Sequence, residues 1–195
     1  MPTDHSESKG PRQAIIGAAA RLFRRRGYAS IGMNEIVEAS GAPKGSVYHY
    51  FPGGKAQIGA AAVKLGGQVA SKTLQDLLSL GADPAEAARA YGARLADWMQ
   101  LSGFRDGCPI ATVVLEMAPQ DGPIAEAATA AFDDWRAAFA TALKAKGLSD
   151  DKADGLALLA VTSIEGALIL ARAKASPEPI LQASEAIAQA FEAAF

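Results

Sequence analysis

The chain has 195 residues, half of them apolar, and a formal net charge of −2. That is enough apolar material for a real core. Its single cysteine, Cys108, excludes an internal disulfide and fits a reducing compartment. The N-terminus has no apolar signal-peptide core, and the longest apolar run, 156–171, is short and contains Thr162, Ser163 and Glu165. Neither export nor a membrane span is expected, and a cytoplasmic location is.

The charge is unevenly placed. Residues 1–72 hold ten Lys or Arg against four Asp or Glu, whereas residues 73–195 hold nine against seventeen. A basic first third on an acidic remainder suggests that only the first part meets a polyanion. Abundant alanine with few Val or Ile runs favours helices over strands.

Residues 1–10 read as a mobile arm. A first helix is expected from about Pro11 to Arg26, where Ile15, Ile16, Ala19, Leu22 and Phe23 form one apolar stripe. Arg21, Arg24, Arg25 and Arg26 crowd its end, complementing the helix dipole or contacting phosphate. Gly27 stops it. The next helix begins near Met33 and ends at Ser40, with Gly41 in the position of a left-handed cap. Pro43 suits the first turn of a third helix, to about Tyr50. Its Lys44, Ser46, Tyr48 and His49 are cationic, short polar and aromatic-hydroxyl groups near one helix end. A helix-turn-helix places such a set in the major groove. Tyr48 is expected on DNA, while Tyr50 and Phe51 are expected in the core.

Phe51-Pro52-Gly53-Gly54 breaks the chain before a long helix at about 55–79. Lys55 at its start is placed to reach a phosphate. Further helices are expected at about 84–102, 109–118, 124–146, 149–175 and 179–194, separated by the Gly- and Pro-bearing stretches 103–108, 119–123 and 176–177. The 149–175 helix is apolar almost all round and must be buried on more than one side. Its small-residue face, Ala160, Ser163, Ala167 and Ala171, permits close helix approach. The last helix spaces Leu181, Ser184, Ala188, Phe191 and Phe195 as a packing seam. Surplus apolar surface on these two helices suggests an interface between chains.

The stretch Ala18–Phe23, then Gly27-Tyr28, Ile36, Gly41, Lys44 through Phe51 and Lys55 resembles the TetR family of one-component transcription regulators. Gly41 to Ser46, Phe51 to Lys55, and Gly107-Cys108-Pro109-Ile110 with Glu116 resemble more narrowly its LmrA/YxaF-type branch. Two positions depart from the usual pattern: Gly32 stands where Thr or Ser is common, and one extra residue separates Phe51 from Lys55.

The resemblance implies an all-α homodimer of about nine helices per subunit. An N-terminal three-helix helix-turn-helix domain, residues 11–58, would precede a C-terminal ligand-binding and dimerisation domain, residues 59–195. The last two helices would build the dimer. It implies a repressor on a roughly palindromic operator of double-stranded DNA, released by a small hydrophobic effector. Lys44, Gly45, Ser46, Tyr48, His49 and Lys55 are carried over as DNA contacts.

A ligand pocket is expected among Trp98, Leu101, Phe104, Cys108, Ile110, Val113, Met117, Trp135, Phe139, Ile164 and Leu168, although such residues equally describe a core. Glu116 and Glu165 stand in apolar sequence, and a buried carboxylate needs a partner. Either would orient a polar or cationic ligand, or pair with an arginine across an interface. Cys108 is either an inert buried thiol or a redox or electrophile sensor. An enzyme is not expected: the only histidines, His5 and His49, suit no Cys108 dyad. No metal-ligand spacing, cofactor motif or complete phosphate loop is present. A DNA-binding dimer without an effector is the remaining alternative.

Overall fold

Breakers and caps divide the described residues into nine α-helices, with no strand among them. The computed structural model describes residues 10–79 and 83–195. The arm expected at 1–10, with His5, lies outside the described residues except for Gly10. The helices are α1 (Pro11–Arg26), α2 (Met33–Ser40), α3 (Lys44–Tyr50), α4 (Gly54–Ser79), α5 (Pro84–Leu101), α6 (Ala111–Met117), α7 (Gly122–Ala145), α8 (Asp150–Lys174) and α9 (Glu178–Glu192).

Local chemistry sets these limits. Gly27 (φ 81°) and Gly41 (φ 65°) close α1 and α2 in the left-handed region, at no steric cost to glycine. Gly32 has no side chain with which to cap α2, but the Glu35 carboxylate reaches back and accepts the Gly32 N–H at 2.9 Å. Half of a capping box therefore survives the missing hydroxyl. At α5 both halves are present: Asp83 accepts the Ala85 N–H at 2.9 Å, and Glu86 accepts the Asp83 N–H at 3.3 Å. Asp121 starts α7 by accepting the Ile124 N–H at 3.1 Å.

Helices α1–α3 close over Phe23, Ile36, Val47 and Phe51, all fully buried. Helix α4 packs first on α1 and then along α7. The α4–α7 approach is close because of glycine: a Cβ on Gly67 would stand 2.9 Å from the Ala131 Cα. Helix α5 lies on α9, where Gly92 receives Ser184, and Arg89 pairs with Glu185 (2.7 Å) and Glu192 (2.8 Å). Phe139 of α7 meets Phe191 of α9 with ring centroids 5.6 Å apart. By length and composition α8 would also cross a bilayer, yet it packs on α7 and α9 and carries Glu165 at mid-length.

One packing feature finds its place and two expectations change. The small-residue face of α8 is spent inside the subunit: Ala160, Ala167 and Ala171 are buried. The apolar stripe that α8 leaves exposed is instead Leu158, Leu159, Ile169 and Leu170. In the α9 seam, Ser184, Ala188 and Phe191 are likewise buried within the chain, and only Leu181 and Phe195 remain outside. Tyr50, expected in the core, is 38% exposed, whereas Phe51 is fully buried. Only Val47 of the seven α3 residues is buried, since so short a helix needs one anchor and the Phe51 cap.

Candidate functional site

The first candidate surface is α3. Val47 and Phe51 point into the small core and hold the helix down, with the Arg12 guanidinium over the Phe51 ring at 5.6 Å. The opposite side is open. Lys44, Gly45, Tyr48, His49 and Tyr50 are exposed, and Ser46 is half-buried. Nothing lies within 4 Å of a Cβ built on Gly45, so its value is an unobstructed approach rather than internal packing. The His49 and Tyr50 rings meet edge to face at 5.2 Å. Four of the sequence-selected α3 residues, Lys44, Gly45, Tyr48 and His49, are thus exposed, with Ser46 half-buried.

Lys55 does not join them freely. Its Nζ sits 4.2 Å from the Tyr28 ring centroid and donates to the Ala29 carbonyl at 3.4 Å. Burial there pulls its ammonium below the ordinary lysine value. The extra residue before Lys55 thus accompanies a side chain turned onto the α1–α2 turn.

That turn is gripped from the other side by Glu116. Its carboxylate accepts the Tyr28 N–H at 3.0 Å and the Ala29 N–H at 2.5 Å. Glu116 is therefore exposed and engaged with backbone, not a pocket carboxylate in apolar surroundings. A Cβ on Gly27 would also displace the Glu116 carboxylate, adding to the positive φ that already favours glycine there. The loop before α6 adds a second fastening to α1. Gly107 N–H donates to the Arg24 carbonyl at 2.8 Å, and Arg24 Nε lies 2.8 Å from Asp106 Oδ2. From α8, Arg172 donates to the Arg25 carbonyl at 3.4 Å.

The second candidate site is a cavity of about 490 Å³ directly behind these fastenings. Its walls come from α4 (Gly66, Val69, Ala70), α5 (Tyr91, Leu95, Trp98, Met99, Leu101) and the following loop (Asp106 to Ile110). Trp135 of α7, Leu168 of α8 and Arg24 and Arg25 at the end of α1 complete it. Gly66 leaves room for the Pro109 ring, since a Cβ there would stand 2.8 Å from Pro109 Cγ. Trp98 is 44% and Leu101 85% exposed, so both stand at the mouth.

Of the pocket residues read from sequence, Trp98, Leu101, Cys108, Ile110, Trp135 and Leu168 line this cavity. Val113, Phe139 and Ile164 are buried core residues off its wall, and Phe104 and Met117 are half-buried and also off it. Amphipathic spacing alone does not separate a cavity wall from a filled core. Tyr91, Asp106, Arg24 and Arg25 were missed as lining residues. Their only sequence signals were the inward spacing of Tyr91 and the basic cluster ending α1.

Glu165 stands next to the cavity wall. Both carboxylate oxygens are buried without a hydrogen-bond partner among the described residues, as is the Trp135 Nε1 donor. Burial pushes the Glu165 carboxyl up, with the Cys108 thiol beside it acting the other way. The Cys108 thiol is itself held well above its ordinary value, by burial first and then by Glu165. A redox or electrophile sensor needs an accessible thiolate, the reverse of this environment.

A short helix exposing polar and aromatic side chains beside a small three-helix core, carried on a larger helical body, defines a helix-turn-helix DNA-binding protein. Residues 15–62 match the family model described as bacterial regulatory proteins, tetR family, and residues 84–186 match that of the transcriptional regulator LmrA/YxaF-like C-terminal domain. The chain is 32% identical to the HTH-type transcriptional regulator YxaF of Bacillus subtilis (strain 168), over 90% of this chain and 92% of that protein. It is 31% identical to the HTH-type transcriptional regulator LmrA of the same organism, over 90% and 94%. The crystal structure of the regulatory protein TetR from Rhodobacter sphaeroides superposes with a TM-score of 0.80 at 28% identity, over 92% of this chain and 97% of that one. The chain belongs to the TetR family of DNA-binding transcriptional regulators, in its LmrA/YxaF-like branch. Its relatives are regulators, not enzymes.

Proposed function

We propose that this regulator is a cytoplasmic homodimeric repressor that occupies a roughly palindromic operator and leaves it when a small, largely apolar molecule fills the cavity. The observation that carries this reading is the position of the cavity. Its wall includes Arg24 and Arg25 at the end of α1, and the loop that borders it is bonded to the Arg24 carbonyl. A ligand that changes this wall bears directly on the element that holds α2 and α3. Ligand binding regulates DNA affinity only through such a differential interaction with two arrangements.

DNA contact is assigned to Lys44, Gly45, Ser46, Tyr48 and His49, with Lys55 a phosphate contact only if it leaves Tyr28. Residues 11–58 act as the reading head and 59–195 as the effector and dimer body, with α4 running unbroken across that division. The exposed leucine and isoleucine stripe of α8, with Leu181 of α9, supports dimerisation through the last two helices. Two copies related by a two-fold axis would present two α3 helices to successive major grooves.

Selection of genomic DNA fragments by the purified protein tests the reading, with Lys44→Ala and Tyr48→Ala as controls. Recovery of a few palindromic sites, lost in both variants, is the expected result. Equal recovery by the variants would remove α3 from the interface.

A further inference from the structure

Behind the inner wall of the cavity, next to its lining residues Tyr91, Cys108 and Leu168, lies a buried polar group with no balancing charge. Glu165 has two buried oxygens without a hydrogen-bond partner among the described residues. Tyr91 and Cys108, which line the cavity, are held protonated by burial first, and the nearby Glu165 charge adds to this. Leu168, one turn further along α8, lines the cavity too. Beside them the Tyr91 and Trp135 rings are tilted at 55° with centroids 5.7 Å apart. A carboxylate buried without a counter-charge is costly, and aromatic faces attract cations. At the mouth the balance is different, because Arg24 already has Asp106 at 2.8 Å. Arg25, the other cation of the wall, is exposed to solvent, so the charge that is buried without an opposite one is Glu165.

Resting on the reading of this cavity as the effector site, we propose that its effector is an organic cation, an amine with an aromatic or alkyl body. The ammonium group is received by Glu165 and the Tyr91–Trp135 ring pair. The body lies along Leu95, Met99 and Trp98 towards the mouth. Burial holds the empty carboxyl in its neutral form more readily than an ordinary glutamate. An ammonium brought against it reverses that preference and supplies the missing partner.

Calorimetric titration of the full chain with benzylamine and 1-naphthylmethylamine, each against its matched alcohol, tests this class. The expected result is that an amine binds tighter than its alcohol by about tenfold or more. Glu165→Gln is expected to abolish the preference by bringing the amine's affinity down to that of its alcohol. In the unaltered protein, the preference is also expected to shrink on acidification as Glu165 takes up its proton; this readout needs no variant. Tyr91 and Cys108, the titratable groups facing Glu165, stay protonated throughout that range. Equal binding of amine and alcohol, binding of neither, or a preference that survives in Glu165→Gln would each overturn the proposal.

A second readout, release of a selected operator fragment, separates the two layers. Amine and alcohol that bind equally and both release DNA leave the effector reading standing and remove the cation. An amine that binds through Glu165 without releasing DNA keeps the cation site and removes the effector reading.

Discussion

Glu116 holds Tyr28 across 88 positions of sequence: its Oε1 accepts the Tyr28 N–H at 3.0 Å, and its Oε2 accepts the neighbouring Ala29 N–H at 2.5 Å. Two backbone donors of the α1–α2 turn thus end on one carboxylate of α6. Hydrogen bonds to a charged group contribute about 1.5–3 kcal/mol where shielded. At this exposed position Glu116→Ala is expected to cost about 1–2 kcal/mol. The sharper readout is amide hydrogen exchange, which should accelerate at Tyr28 and Ala29 while α7 and α9 stay protected. Unchanged exchange at those two amides would mean the turn is held by Lys55 and its own backbone instead.

Lys44 and Lys55 are both basic and eleven residues apart, yet their surroundings predict different behaviour. Lys44 is exposed, so Lys44→Ala is expected to weaken operator binding and lower the log–log salt slope by about one. Lys55 sits over the Tyr28 ring. Lys55→Ala is expected to lower folding stability by about 0.5–1 kcal/mol with little change in that slope. Salt titration of DNA binding, together with urea denaturation, distinguishes the two. A full unit of slope lost in Lys55→Ala would show that DNA draws the side chain off Tyr28.

Gly67 marks where α4 and α7 are too close for a side chain. Its Cβ would stand 2.9 Å from the Ala131 Cα, so backbone must move. Gly67→Ala is therefore expected to destabilise by about 1–3 kcal/mol despite alanine's better helix propensity. Gly155 of α8 has open space around it, and Gly155→Ala is expected to stabilise by about 0.5–1 kcal/mol. Opposite signs in thermal denaturation check the packing argument, and equal signs would contradict it.

The exposed side of α8 carries Leu159 at 48% and Leu170 at 53% exposure, more apolar surface than the subunit itself uses. The double substitution Leu159→Glu and Leu170→Glu is expected to convert the proposed dimer to a monomer in sedimentation equilibrium. Operator affinity should then fall steeply, because two half-sites would no longer be bound as one unit. A variant that sediments as a dimer would move the interface off α8.

How far the sequence carried the reading depended on whether a signal was local. The α1–α3 limits follow from Pro11, Gly27, Gly41 and Pro43, each acting on its own turn, and they match the structure closely. The cavity was half legible. Trp98, Cys108 and Trp135 line it, but Val113 and Phe139 have the same spacing and hydropathy and belong to filled core. The α8 alanines permit close approach, and they are buried where α8 meets its neighbours, but small residues do not say which helix approaches. Glu116, with apolar neighbours in sequence, reads as a carboxylate for a ligand or for an arginine across an interface. Its true partners, Tyr28 and Ala29, are distant in sequence, and no local pattern announces them.

Glu165 ties the cavity to stability through pH. Burial raises its carboxyl above the ordinary carboxylate value, whereas in the unfolded chain it titrates normally. The folded state therefore holds the proton more tightly. Its contribution is fully present below the ordinary value, and it is lost as pH rises through that value to the raised one. Above the raised value the loss is complete, and each tenfold difference in proton affinity corresponds to about 1.4 kcal/mol. Glu165→Gln keeps the shape and cannot ionise. Its stability relative to the unaltered protein is thus expected to grow as pH is raised from acid towards neutrality, and then to level off. Urea denaturation of both proteins across that range measures the difference directly. A difference that stays flat with pH would mean that the carboxylate is solvated in the folded protein, and would leave Glu165 without an unmet need for a partner.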